Sequence, residues 1–316
     1  MELNKILLVG YTEETLEPKQ WERLDGLAKG RVLLPKDSPE IPAHSADTDC
    51  LLVKLGATVD KDLMDSMPNL KYIGMLGTGC GRIDLAHAAS NGITVSNLVG
   101  YSTESVAELV FALILEHIRE IEKAKAQARE GNYSEDGFEP YEIKNKAFGV
   151  VGLGRIGART AEIALNGFGA DVRYWSRTRK EEQEKNGVKY QGLDALLGEV
   201  DFVSIHMEAN KETNGFFGPE LIQKIKPGAV VVNTAPMDLV DTSALANRLA
   251  KGDITFILDH SDELSEADAQ ELSKYKNCVM YPPIGYISKE ATLAKLDMFV
   301  DNIQNFLEGK PTNVVQ

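Results

Sequence analysis

Short apolar runs that alternate with helix-compatible stretches, a glycine triplet that joins one such run to the helix after it, and a length suited to two domains together predict an α/β protein built of two doubly wound parallel sheets. At about 150 residues per domain, 316 residues make roughly two domains, and a hydrophobic content of 43% supplies a core for each. The balance of 34 Lys+Arg against 48 Asp+Glu leaves a net charge of −14, with no run of five like charges, which argues against a nucleic-acid partner. The longest nearly apolar stretch, 105–118, contains Glu108 and is too short to cross a bilayer. The opening Met-Glu-Leu-Asn-Lys lacks a signal-peptide profile, so a cytoplasmic protein with no membrane partner is expected. Cys50, Cys80 and Cys278 are odd in number and show no C-x-x-C spacing, which predicts reduced thiols. His44, His87, His117, His206 and His260 are scattered, with no helical H-x-x-x-H pair, so no metal site is expected.

In chain order, 5–9, 50–53, 71–75 and 93–95 are apolar runs that predict parallel strands with helices between them. From Ser102 a long helix is predicted, with Val106, Leu109, Val110, Leu113 and Leu115 spread over much of its circumference. Such a helix needs apolar partners on several sides, and a homodimer is the expected way to supply some of them. A polar, poorly periodic stretch, 129–142, precedes a second series: strand 147–151, helix 155–165, and strands 171–175, 201–206, 229–233, 254–258 and 278–281. A final helix, 288–307, is free to return to the first domain.

Strand 147–151 runs directly into a G-x-G-x-x-G turn that opens helix 155–165. Gly152 permits the tight turn, Gly154 lets a pyrophosphate approach the backbone, and Gly157 lets the helix pack against the sheet; Leu153, Arg155 and Ile156 complete the loop. With a strand before it and a helix after it, the motif predicts a dinucleotide site. An NAD site usually has an acid about 20 residues further on, for the ribose hydroxyls. Here the chain reads Ser176, Arg177, Thr178, Arg179, Lys180, three cations and two hydroxyls suited to a 2′-phosphate, so NADP(H) is favoured while NAD(H) stays possible.

Taken with Gly77-Thr-Gly-Cys-Gly-Arg-Ile-Asp84, Glu104-Ser-Val-Ala-Glu108, Asp201-Phe-Val-Ser-Ile-His206, Lys226-Pro-Gly228 and Asn233-Thr-Ala235, the chain resembles the D-2-hydroxyacid dehydrogenases over nearly its whole length, with the glyoxylate/hydroxypyruvate reductase and phosphoglycerate dehydrogenase branches nearest. The resemblance implies a Rossmann cofactor domain, 101–287, inserted in a flavodoxin-like substrate domain formed by 1–100 plus 288–316. It also implies a homodimer, a small-molecule substrate and an oxidoreductase activity. His206 and Met207 would lie on the cofactor shelf, Thr234 and Ala235 near the nicotinamide, and Asp259 would accept from its carboxamide.

The family's catalysis uses an Arg, a His and a Glu. The Arg position after Asn-Thr-Ala is Pro236, and the His position of the Pro-His-Ile-Gly pattern is Pro283. The Glu position falls on Leu264 by count, or on Glu263 if the loop is one residue shorter. Proline carries neither charge nor exchangeable proton, so neither replacement can do the work of the residue it replaces. Replacement candidates are His260, which follows Asp259 at a strand end, Tyr286, and the first-domain cations Lys54 and Arg82. Cys80 suits a small apolar filler better than a nucleophile. Two readings follow: an oxidoreductase with a rebuilt site acting on a small polar or anionic carbonyl compound, or a dinucleotide-binding sensor without catalysis. A tightly held, recycled cofactor serving a lyase- or isomerase-like reaction is a third.

Overall fold

The computed structural model describes residues 2–54 and 56–315. The chain divides into two compact units, Met1–Tyr101 with Lys289–Gln316, and Ser102–Ser288. Among the described residues no helix is long and apolar enough to cross a membrane.

The first unit holds five parallel strands, β1 (Ile6–Val9), β2 (Arg31–Leu34), β3 (Cys50–Val53), β4 (Tyr72–Met75) and β5 (Thr94–Ser96), in the order β2-β1-β3-β4-β5. Successive side chains alternate between the faces of the sheet, so both faces need cover. Ile6, Leu8, Leu52 and Tyr72 meet Leu296, Phe299, Val300 and Ile303 of the helix Lys289–Leu307. Leu7, Leu51, Val53 and Ile73 meet Met64, Met67 and Ala88 on the other face. A Cβ on Gly74 would come within 2.7 Å of Leu52 Cδ2, so the glycine leaves room for the side chain of the neighbouring strand under this helix. Buried Asn302 fastens the end of the chain: its amide donates to Asn97 O at 2.8 Å, and its Oδ1 accepts from Thr312 and Asn313, both at 2.9 Å. β2 has little signal of its own in the sequence, because it is a half-buried edge strand opened by Arg31, which pairs with Glu13 and Asp25. The order of strands changes direction between β1 and β3, the place where open α/β sheets leave a crevice at their carboxyl ends.

The second unit holds β6 (Ala147–Val151), β7 (Asp171–Trp175), β8 (Lys189–Tyr190), β9 (Phe202–Ile205), β10 (Val230–Asn233), β11 (Thr255–Leu258) and β12 (Cys278–Met280), all parallel. Their order is β12-β11-β10-β9-β6-β7-β8, with the change of direction between β6 and β9. The helix Thr103–Ile118 buries Val106, Ala107, Val110, Phe111, Leu113, Ile114 and Ile118 within the chain itself. Phe111 stacks at 5.7 Å on Phe148 and at 4.9 Å on Phe168. Its apolar circumference is therefore largely satisfied without a second subunit. The helix after the glycines is regular over Arg155–Glu162 and then widens into a π turn, Ile163–Gly167, which sets Phe168 against Phe111. The polar stretch expected at 129–142 begins where the helix Ile121–Arg129, which has no buried residue, ends.

Candidate functional site

The carboxyl ends of β6, β7 and β9 surround a cavity of about 450 Å³. Its floor is the glycine turn. Gly152 sits at φ +95°, where a side chain would be strained, and its amide donates to Trp175 O at 2.8 Å. A Cβ on Gly157 would lie 2.0 Å from Gly152 O, so the helix packs on the turn only with glycine there. Gly154 is different: a Cβ on it would meet no protein atom within 4 Å. The space beside Gly154 belongs to the cavity, and the helix Arg155–Glu162 starts there without a side-chain cap. Backbone N–H groups and the positive end of the helix dipole are thus left for an anionic ligand. This set of groups fits the pyrophosphate of a dinucleotide. Leu153 is buried beneath the turn, Ile156 is half-buried and Arg155 is exposed.

On the far side of β7, Arg177 and Lys180 line the cavity. Arg177 donates to Glu212 at 3.2 Å, with both side chains exposed. Ser176 Oγ donates to Thr178 O at 2.7 Å and closes the turn that presents these cations. Arg179 departs from the expectation that it faces the ribose. It makes two bonds to Glu184, at 2.7 and 2.6 Å, and lies 5.4 Å over the Tyr190 ring, because Glu184 is one turn further along at the right reach. The opposite wall, Glu208, Asn210, Glu212, Thr213 and Phe216, went unread in the sequence. Its available signal was position alone, since the loop after β9 borders the switch point that β6 defines.

His206 lines the cavity with its ring between two hydroxyls, Ser204 Oγ at 2.7 Å from Nε2 and Thr234 Oγ1 at 3.4 Å from Nδ1. The surrounding protein penalises the imidazolium and pulls the pKa down to about 3, so the ring is neutral at physiological pH. Met207 packs under the same wall, its Cγ 3.2 Å from where a Cβ on Gly152 would lie. Ala235, buried, donates its amide to Asn233 Oδ1 at 3.1 Å.

A second group of residues gathers at the carboxyl ends of β10, β11 and β12. Pro236 opens the short 3₁₀ turn Met237–Leu239. The Met237 amide donates to Glu263 Oε2 at 2.8 Å, and the other oxygen of Glu263 lies 3.6 Å from His260 Nδ1. Leu264, the alternative for the family's Glu position, packs on the apolar core. His260 and Glu263 are therefore brought together beside the Pro236 turn. Asp259 is almost fully buried and accepts from the Ile284 and Gly285 amides, each at 3.0 Å. A Cβ on Gly285 would reach 2.6 Å from Asp259 Oδ2, so this contact needs the glycine. Ser105 Oγ donates to Gly285 O at 2.7 Å from the other side. The pinned segment carries half-buried Pro283 and an exposed Tyr286.

Lys54 and Arg82 lie in the first unit, Lys54 directly after β3 and Arg82 donating to Gly56 O at 3.2 Å. Cys80 is half-buried against an apolar cluster, and burial pushes its thiol pKa up, away from the thiolate. Among the described residues no group of three or more His, Cys, Asp or Glu is placed to hold a metal ion.

Residues 111–285 match the family described as D-isomer specific 2-hydroxyacid dehydrogenase, NAD binding domain. A glyoxylate reductase of Thermococcus litoralis is 38% identical over 279 residues, which cover 85% of this chain and 84% of that protein. Among solved structures, a D-lactate dehydrogenase from Aquifex aeolicus complexed with NAD and lactic acid matches with a TM-score of 0.80 at 27% identity, covering 96% of both chains. An acyclic imino acid reductase in complex with NADPH and D-Arg matches with a TM-score of 0.82 at 27% identity, covering 99% of this chain and 100% of that one. The chain belongs to the D-isomer-specific 2-hydroxyacid dehydrogenase family, whose second unit here is its NAD-binding domain.

Proposed function

We propose that this protein is an NADP(H)-preferring reductase of small anionic carbonyl or imine compounds that works without the family's Arg and His. What supports this reading is a complete glycine cradle together with Pro236 and Pro283 at the positions where the family resemblance implies the catalytic Arg and His. When bound, a nicotinamide supplies or takes up the hydride. The remaining task is proton transfer to the nascent hydroxyl or amine, and His260 is the residue proposed for it, with Glu263 3.6 Å away to hold its Nδ1 side. Glu263 is itself fixed by the Met237 amide, so Pro236 serves as the stiff start of the turn that orients this pair. Tyr286 is a second proton donor candidate on the segment that Asp259 pins.

NADP(H) preference is supported by Arg177 and Lys180 in the cavity and by the absence of a carboxylate at 176–180; NAD(H) remains usable. Arg177 must trade Glu212 for a 2′-phosphate, a more highly charged partner. Relatives of both kinds exist, one solved with NAD and one with NADPH. The imine option is supported by the imino acid reductase, which has the same fold over nearly the whole chain. A homodimer is supported by the helix Ile121–Arg129, which has no buried residue and carries an exposed Ile121. Light scattering of the purified protein tests it, with twice the chain mass expected.

The test of activity is to mix the protein with NADPH and a panel of 2-oxo acids, aldehydes and imines. Oxidation of NADPH by at least one is expected, and none by any overturns the reading. A second reading, a cofactor-binding sensor, is favoured by the same two prolines; it requires NADPH to bind and to survive the whole panel.

A further inference from the structure

The nucleotide cavity of the second unit is lined by two cations, Arg177 and Lys180, and also by two carboxylates, Glu208 and Glu212. The glycine cradle uses neither acid, and both repel a pyrophosphate. Glu212, on the wall that follows β9, meets Arg177, on the wall that follows β7, at 3.2 Å. The backbone that carries each side chain is held in place. On the β7 side, Ser176 Oγ donates to Thr178 O at 2.7 Å, the Lys180 amide donates to Tyr174 Oη at 2.7 Å, and that hydroxyl donates to Glu184 Oε1 at 2.8 Å. On the β9 side, Asn210 Oδ1 accepts from the Glu212 and Thr213 amides at 2.9 and 3.2 Å, and Thr213 Oγ1 donates to Glu208 O at 2.7 Å. The Trp175 and Phe216 rings, with centroids 5.4 Å apart, tie the two walls together.

The two side chains themselves are loosely held: Arg177 is 82% and Glu212 78% exposed, and an ion pair so exposed is weak. A nucleotide can therefore open the pair by turning two side chains while both loops stay where they are. What each side chain then gains depends on the ribose. A 2′-hydroxyl is a donor, and in doubly wound sheets a carboxylate at the end of the second strand usually accepts from it. The stretch 176–180 has no such acid, but Glu212 reaches the same loop from the opposite wall. A 2′-phosphate is an acceptor with up to about two negative charges, so it gains from Arg177 and is opposed by Glu212. We infer that Glu212 is a cofactor-selecting residue: it supplies from the loop after β9 the carboxylate missing after β7, accepts from the ribose hydroxyls of NAD(H), and holds down the preference for NADP(H). The inference deepens the reading of a reductase that prefers NADP(H) and rests on it for Arg177 facing the 2′ position.

The test is calorimetric titration of the full chain at low salt with NADPH and with NADH, on the wild type and on Glu212→Gln, which keeps the size of the side chain and removes its charge. The ratio of NADPH to NADH affinity is expected to rise at least about threefold, with NADPH bound more tightly and NADH more weakly. A smaller rise, no rise, or NADH binding that is not weakened overturns the proposal. Glu220→Gln, on the helix Pro219–Lys224 and not in the cavity lining, changes the net charge by the same amount and should leave the ratio at its wild-type value. An equal rise in that variant would assign the effect to overall charge and overturn the proposal as well. Arg177→Ala, titrated alongside, keeps two failures apart. Selective loss of NADPH there, with no effect of Glu212→Gln, leaves the NADP(H) preference standing and removes only the role of Glu212. Equal loss of both nucleotides removes the preference itself. Neither titration depends on turnover.

Discussion

Two regions share the carboxyl edge of the seven-stranded sheet and are built on opposite principles. At β6 and β7 the chain is open: Gly154 faces empty space, a helix begins uncapped, and two cations border the cavity. At β10 to β12 it is closed on itself: Pro236 starts a tight turn, Glu263 accepts from the Met237 amide, and both oxygens of Asp259 accept from the backbone. The contrast teaches that ligand binding and chemistry are separable on one sheet edge. Binding depends on backbone groups that any sequence supplies once the glycines are present. Chemistry depends on particular side chains, which can be exchanged while the fold stays as it is.

The comparison breaks most sharply at His260. If proton transfer has moved to this residue, His260→Ala lowers kcat/KM for the best substrate by about 10²–10⁴-fold, with NADPH affinity unchanged, as steady-state kinetics and calorimetry together would show. Glu263→Gln should cost less, since Glu263 positions the ring and does not carry the proton.

Two neighbouring glycines sharpen the contrast within the open region. For Gly157→Ala, helix propensity gains about 1 kcal/mol, but a Cβ 2.0 Å from a backbone oxygen cannot be relieved by a side-chain shift. A net loss of roughly 3 kcal/mol in urea unfolding is expected. Gly154→Ala, at φ −80° with no protein atom within 4 Å, should leave stability within about 1 kcal/mol and still weaken NADPH binding about tenfold or more.

Acid should weaken the fold through His206 in the cavity wall. His206 has its pKa lowered from 6.5 to about 3, so the unfolded chain binds the proton more readily than the folded one between those values. Its contribution to stability is whole above pH 6.5 and falls by up to about 1.4 kcal/mol per pH unit as acid is added, until the folded ring titrates too. His206→Gln should flatten that part of the stability profile measured by denaturant titration at several pH values. The smallest effect expected is at Arg177. Its side chain is 82% exposed, so Arg177→Ala should weaken NADPH about tenfold relative to NADH in parallel titrations. Equal weakening of both would remove the support for NADP(H) preference.

The cradle was legible in the sequence because its residues act through the absence of a side chain, which a one-letter pattern records directly. The buried strands β1, β3 and β4 were legible as apolar runs, whereas edge strands β2 and β8 carry Arg31 and Lys189 and are half-buried or exposed. Arg179 illustrates a different limit. Its charge is visible in the sequence, but its choice of Glu184 over the cavity depends on side-chain reach. The Glu208 to Phe216 wall comes from a loop with no periodicity, and Glu212 acquires meaning only beside Arg177, which is distant in sequence.

The most direct measurement is a single-turnover experiment in which NADPH is first bound, with its affinity recorded, and the best carbonyl or imine substrate is then added to wild-type protein and to His260→Ala. Tight NADPH binding by both proteins is expected, with hydride loss from NADPH in the wild type and at least about a hundredfold slower loss in the variant. NADPH that fails to bind, or is consumed equally fast by the two proteins, would contradict an open cradle coupled to relocated proton chemistry.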